Sequence, residues 1–200
     1  MTVKQSIQMP SRWLVGVAMA CSIQPALAQT TDGGFHKALS PSLAMVANSM
    51  HSLIRTNLAD AAEAMTEGDY AFRPTAEVRT FGQVVGHITN ANNFFCSQAA
   101  GEALPTTEDF ERVSSRAALL KGLQESLAYC DRVYAATTDA TFATSITMAP
   151  DPAMSPVVTT RGAVLMFNVA HNNEHYGNVV VYMRLRGRVP PSTARARSSK

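Results

Sequence analysis

Two histidines four residues apart, in His171-Asn172-Asn173-Glu174-His175, are the chain's strongest chemical signal. On a helix such residues sit one above the other, about 40° apart around the axis, because a turn takes about 3.6 residues. Both imidazoles can then address one ion. His87 lies within a separate apolar pattern. Three imidazoles from two helices leave at least one coordination position open on a tetrahedral or larger shell, as a catalytic metal requires. The expected metal ligands are therefore His87, His171 and His175. The alternative is a solvent-facing polar stripe: the pair shares a face with Asn168, Asn178 and Tyr182, while Leu165, Val169, Val179 and Met183 supply the core face. Asn90, Asn168 and Tyr182 are candidates to orient the rings.

The same run fits H-x-x-E-H, in which a glutamate acts as general base. Glu174 would flank the pair, about 60° from His171 and about 100° from His175. Five residues match by chance often, and the domain is small for a peptidase, so a protease is a minor reading. There is no C-x-x-C, G-x-G-x-x-G, P-loop or G-x-S-x-G, which removes support for redox-motif, nucleotide and serine-hydrolase chemistry.

The elements that must position these residues are helical. Ser40-Pro41 reads as a helix start, followed by Leu43, Val46, Met50, Leu53, Ile54, Leu58, Ala61 and Met65 at helical spacing, with an end near Glu67-Gly68. A loop over 69–78 leads to a capping box, Thr80-Phe81-Gly82-Gln83, and a second helix to about Ala99 with His87 facing inward. Ser115 opens a third helix that ends near Ala136. Residues 137–158 read as loop, with a short helical turn around Ala140 to Thr144 and no lasting period-2 pattern. Thr159 or Thr160 caps a fourth helix to about Arg186, where Gly187 and then Pro190-Pro191 stop it. Val179-Val180-Val181 is locally strand-like, but the surrounding helical period overrides it. Four long helices make an all-α four-helix bundle, whose core is a usual place for a metal site.

Residues 1–28 resemble an export signal, with Lys4 and Arg12, an apolar core from Trp13 to Ile23, and Ala26-Leu27-Ala28 before Gln29. The apolar run is about half of what a bilayer span needs, so cleavage and a periplasmic or secreted location are expected, without stable membrane insertion. Loss of Lys4 and Arg12 lowers the 17 Lys+Arg to 15, level with 15 Asp+Glu. Net zero charge argues against nucleic acid as a partner. Residues 29–37 form an expected flexible leader, 38–188 the bundle and 189–200 a disordered basic tail. The mature chain keeps Cys96 and Cys130, either bonded to each other in an oxidising compartment or two buried thiols.

Arg79-Thr80-Phe81-Gly82-Gln83-Val84-Val85-Gly86-His87-Ile88, together with the segment from His171 through Tyr176-Gly177 to Gly187-Arg188-Val189-Pro190-Pro191, closely resembles the DinB-like (DinB/YfiT-type) superfamily. The resemblance spans roughly residues 38–192. It implies an up-down-down-up bundle, a divalent ion such as zinc or nickel on His87, His171 and His175, and frequent homodimers. Some relatives transfer or isomerise low-molecular-weight thiols. The expectation is an exported metal-binding protein that activates water or a thiol on a small-molecule substrate, as hydrolase or transferase. The alternative is a non-catalytic metal-binding or interaction bundle.

Overall fold

The computed structural model describes residues 42–148 and 155–198. Its elements are α1 (Leu43–Ala64), α2 (Glu67–Tyr70), α3 (Phe81–Ala100), a 3-10 turn (Phe110–Arg112), α4 (Arg116–Ala136), α5 (Asp139–Phe142), β1 (Ser145–Met148), β2 (Val157–Thr160), α6 (Arg161–Leu185) and α7 (Pro191–Ser198). Each long helix begins at a hydroxyl that accepts from a free backbone N–H. Ser42, Thr80, Ser115 and Thr160 take that role for α1, α3, α4 and α6. At α3 the Gln83 side chain accepts from the Thr80 N–H in return, which completes the expected capping box. Gly101 and Gly187 follow α3 and α6 with φ of 74° and 70°, a region where a Cβ would be strained.

The four long helices close a ring in which α1 packs on α4 and α6, and α3 packs on α4 and α6. Contacts fix the directions. Gly82 meets Leu119 near the starts of α3 and α4, and Cys96 meets Cys130 near their ends, so these two helices run parallel. Parallel neighbours need a long connection, and residues 101–115 supply it. Asn168 of α6 lies beside Cys96, late in α3, whereas Tyr182 lies beside Phe81 at its start, so α6 runs antiparallel to α3. Arg116, which opens α4, reaches the Met65 carbonyl beyond the end of α1, so these two are antiparallel as well. The result is the up-down-down-up, all-α bundle. The Cys96–Cys130 disulfide joins α3 to α4 with the Cα atoms 5.4 Å apart.

Several expectations change. Residues 1–41, which hold the signal-like segment, the leader and the Ser40-Pro41 start, lie outside the described residues. The α1 cap is Ser42, supported by Asp139, whose carboxylate accepts from the Ala44 N–H at 2.8 Å. The buried face of α1 is Ala44, Ala47, His51, Ile54, Leu58 and Ala61, while Leu43 and Leu53 are exposed. Alanines let neighbouring helices approach, and His51 fills a core position by stacking on Tyr134 at 4.1 Å between ring centroids. The first helix stops at Ala64, because Thr66 and Asp69 form a fresh capping box that starts α2. Asp69 is buried and ion-paired to Arg186 and Arg188, which ties this corner to the end of α6.

The segment expected as loop contains α5 and an antiparallel pair, β1 with β2, in the register Ser145↔Thr160 to Met148↔Val157. Ser145-Ile146-Thr147-Met148 alternates for only the minimum four residues and Val157-Val158-Thr159-Thr160 does not alternate at all, so no period-2 pattern persists along this segment. The tail expected to be disordered is helical over Pro191–Ser198. Arg195 reaches Asp60 and Asn57 there, and Tyr176 donates to Ser192 at 2.9 Å. Among the described residues, no helix is long and apolar enough to cross a membrane.

Candidate metal centre

The antiparallel contact of α3 with α6 brings His87 against the His171/His175 pair. His171 Nε2 lies 3.1 Å from His87 Nε2 and 3.1 Å from His175 Nε2. The three ligand atoms fall within 4.8 Å of one another, and among the described residues this is the one His/Cys/Asp/Glu cluster so placed. Nitrogens about 2.0–2.1 Å from a common ion would stand roughly 3.0–3.4 Å apart, depending on geometry. The observed 3.1 Å contacts fit that span.

Proton arithmetic also favours an ion. A single N–H on His171 can donate along one of its two Nε2···Nε2 directions, leaving the other poorly satisfied. A cation at the centre would accept the lone pairs of all three rings, His87, His171 and His175. The rings are half-buried, and that burial has a cost for protonation. It pushes His171 down to about 4, with the neighbouring His175 and His87 adding to the shift. Burial, then His87, also lowers His175. Neutral imidazole is the ligand form, so the environment suits metal binding.

The carboxylate hydrogen-bonded to the cluster is Glu111, whereas Glu174 is exposed on α6. Glu111 Oε1 lies 2.7 Å from His87 Nδ1, and Oε2 accepts from Arg79 Nε at 2.8 Å. Burial works to raise the Glu111 carboxyl, but the hydrogen bonds from Arg79 and His87 outweigh it and leave it below the ordinary glutamate range. Glu111 belongs to the 3-10 turn, which lies across α3 as a strap. Asn90 holds the strap at both amide atoms: Oδ1 accepts from the Phe110 N–H at 3.0 Å, and Nδ2 donates to Asp109 at 2.8 Å. Gly86 and Gly122 leave room for Phe110, since a Cβ at either would come within 2.3 Å of it. On the other flank, Phe95 meets His171 edge-on at 5.8 Å and also packs edge-on against Phe94 and at a tilt against the exposed Phe167.

The three expected ligands are thus brought together, but none of the expected ring-orienting residues hydrogen-bonds a ring. Asn90 acts one step back, through the strap. Asn168 donates to Tyr134, and the Tyr182 hydroxyl donates to the Arg79 carbonyl at 2.5 Å. Sequence reasoning missed Glu111 and Arg79 as parts of the site. A phenylalanine within a polar loop, with a glycine in mid-helix one residue before His87, was the available signal.

A family profile described as the DinB superfamily matches residues 51–179. A DinB-like protein from Bacillus cereus superposes with a TM-score of 0.57 at 20% identity, covering 70% of this chain and 90% of that one. The DinB-like protein YjoA from Bacillus subtilis superposes with a TM-score of 0.54 at 22% identity, covering 72% of this chain and 93% of that one. No curated protein sequence matches the chain.

Proposed function

The chain belongs to the DinB superfamily, and on that premise we propose that it is an exported metalloenzyme whose divalent ion is held by His87, His171 and His175. The observation that carries this reading is the convergence of three Nε2 atoms with 3.1 Å contacts and, among the described residues, no fourth His, Cys, Asp or Glu in the cluster. Three protein ligands leave coordination space for a substrate. When bound there, zinc or nickel would supply Lewis acidity that makes water or a thiol a competent nucleophile near neutral pH. The chain's own residues set the stage for that chemistry. Glu111 and Arg79 orient His87, burial keeps His171 neutral, and Phe95 shields one edge of the site.

Two observations support export: the signal-like sequence of residues 1–28 and the Cys96–Cys130 bond, which is at home in an oxidising compartment. The proposal includes a homodimer and no nucleic-acid partner.

The test is metal content of the mature protein, purified without a polyhistidine tag, beside a His171→Ala/His175→Ala variant. About one equivalent of a divalent metal in the wild type and none in the variant is the expected result, with a metal-dependent rise in Tm in the wild type alone. A wild type that stays metal-free after reconstitution with zinc or nickel would remove the metalloenzyme reading. A loaded protein whose ion admits no added thiol or other exogenous ligand would favour a non-catalytic metal-binding bundle.

A further inference from the structure

We propose that Glu111 is a positioning residue of the metal centre, selecting the His87 tautomer that offers Nε2 to the ion, and that Arg79 makes this selection one-way. The inference rests on the metal-centre reading above and goes further by assigning roles to two residues that are not ligands.

A carboxylate can accept but not donate, so the 2.7 Å contact requires His87 to carry its proton on Nδ1. The Nε2 lone pair then points at His171 and His175. Arg79 can only donate, and it occupies the other oxygen of Glu111 at 2.8 Å. Arg79 is itself held from α6, since its carbonyl accepts the Tyr182 hydroxyl. The carboxylate therefore has a donor on each side and presents an oxygen to both.

A glutamine at this position has almost the same shape and the opposite effect. Its single oxygen can serve only one of the two neighbours, and Arg79, which can only donate and would repel an amide N–H, favours the orientation that turns the oxygen toward it. The amide nitrogen would then face His87 Nδ1 and donate to it. His87 would move its proton to Nε2, placing an N–H where a lone pair is needed. If Glu111 and Arg79 merely staple a surface loop, Gln would be the mild substitution and metal binding would follow stability. Tautomer selection makes Gln the damaging one, with relief when Arg79 is removed and the amide is free to turn.

The experiment compares wild type, Glu111→Gln and Arg79→Ala/Glu111→Gln, each checked for folding by circular dichroism. Two readouts are used: ring nitrogen chemical shifts of His87 in the metal-free protein, and Co2+ affinity followed by visible absorption. The expected result is a wild-type His87 protonated at Nδ1 and a Glu111→Gln ring protonated at Nε2. Co2+ affinity should fall on the order of 10- to 100-fold in Glu111→Gln, with most of the loss recovered in the double variant. A Glu111→Gln protein that keeps the Nδ1 tautomer, or binds Co2+ as tightly as wild type, would overturn the role of Glu111 while leaving the metal centre standing. No recovery in the double variant would overturn the role of Arg79. A wild type that takes up no Co2+ would overturn the metal-centre reading, and this role with it.

Discussion

Gly86 of α3 and Phe110 of the strap are in backbone contact: a Cβ on Gly86 would lie 2.3 Å from the Phe110 carbonyl oxygen. The strap therefore reaches His87 only because the preceding residue has no side chain. Gly86→Ala should gain about 1 kcal/mol of helix propensity but lose more through overpacking against backbone, which costs about 1–3 kcal/mol and has no flexible side chain to absorb it. We expect a net loss of stability in urea denaturation, together with weaker Co2+ binding as Glu111 is carried away. Gly177→Ala is the control. Its Cβ would meet open space on α6, so the same exchange should stabilise by about 0.5–1 kcal/mol. Equal effects at the two glycines would count against the strap contact.

The metal-free protein should lose stability as pH falls from about 6.5 toward 4. Burial lowers His51, outweighing the hydrogen bond from its Nε2 to Asp131 at 2.8 Å, and its Nδ1 has no hydrogen-bond partner among the described residues. Burial first, then the other two rings, lowers His171 to about 4. Both rings take up a proton less readily in the fold than in the unfolded chain, where they do so near the ordinary value of about 6.5. The unfolded state therefore binds more protons across that window, and unfolding becomes easier as pH drops. Asp69 extends the same slope to more acidic pH, because its hydrogen bond from Arg186 holds it well below the usual carboxylate range. The check is Tm against pH between 7.5 and 3. A His51→Phe variant keeps a ring against Tyr134 but cannot titrate, so it should flatten part of the slope. A flat wild-type profile between pH 6.5 and 4 would contradict the assignment.

Reduction of the disulfide should cost stability without costing metal. The bond closes a loop with a sequence separation of 34, which corresponds to about 3.8 kcal/mol of denatured-state entropy. It joins α3 to α4, whereas the triad is assembled from α3 and α6. The urea midpoint should therefore fall on adding reductant, and a Cys96→Ala/Cys130→Ala variant should behave alike, with metal stoichiometry unchanged in both. Loss of metal on reduction would show that the α3–α4 tie also holds the site.

What the sequence determined by itself is what depends on neighbours along the chain. The i, i+4 spacing of His171 and His175 sets them on one helix face. The Thr80/Gln83 box, the Ser115 cap, the choice of Thr159 or Thr160 as the last cap (the structure takes Thr160) and the left-handed Gly187 each follow from backbone donors and dihedrals satisfied within a few residues. Those marks, with the family resemblance, sufficed for the four long helices and for three candidate ligands. Tertiary structure decided everything that needed a partner from far away. His87 meets His171 across 84 residues because α6 runs antiparallel to α3, and Glu111 meets His87 because Gly86 and Gly122 admit Phe110. The α1 core face shifted for the same reason, since His51 is a good core residue only where Tyr134 and Asp131 are present to receive it. The helical tail followed suit, for Arg195 orders it through Asp60 and Asn57 on α1. Local periodicity carries no information about which distant group will satisfy a buried donor or fill a gap beside a glycine, and in this protein those distant groups complete the site.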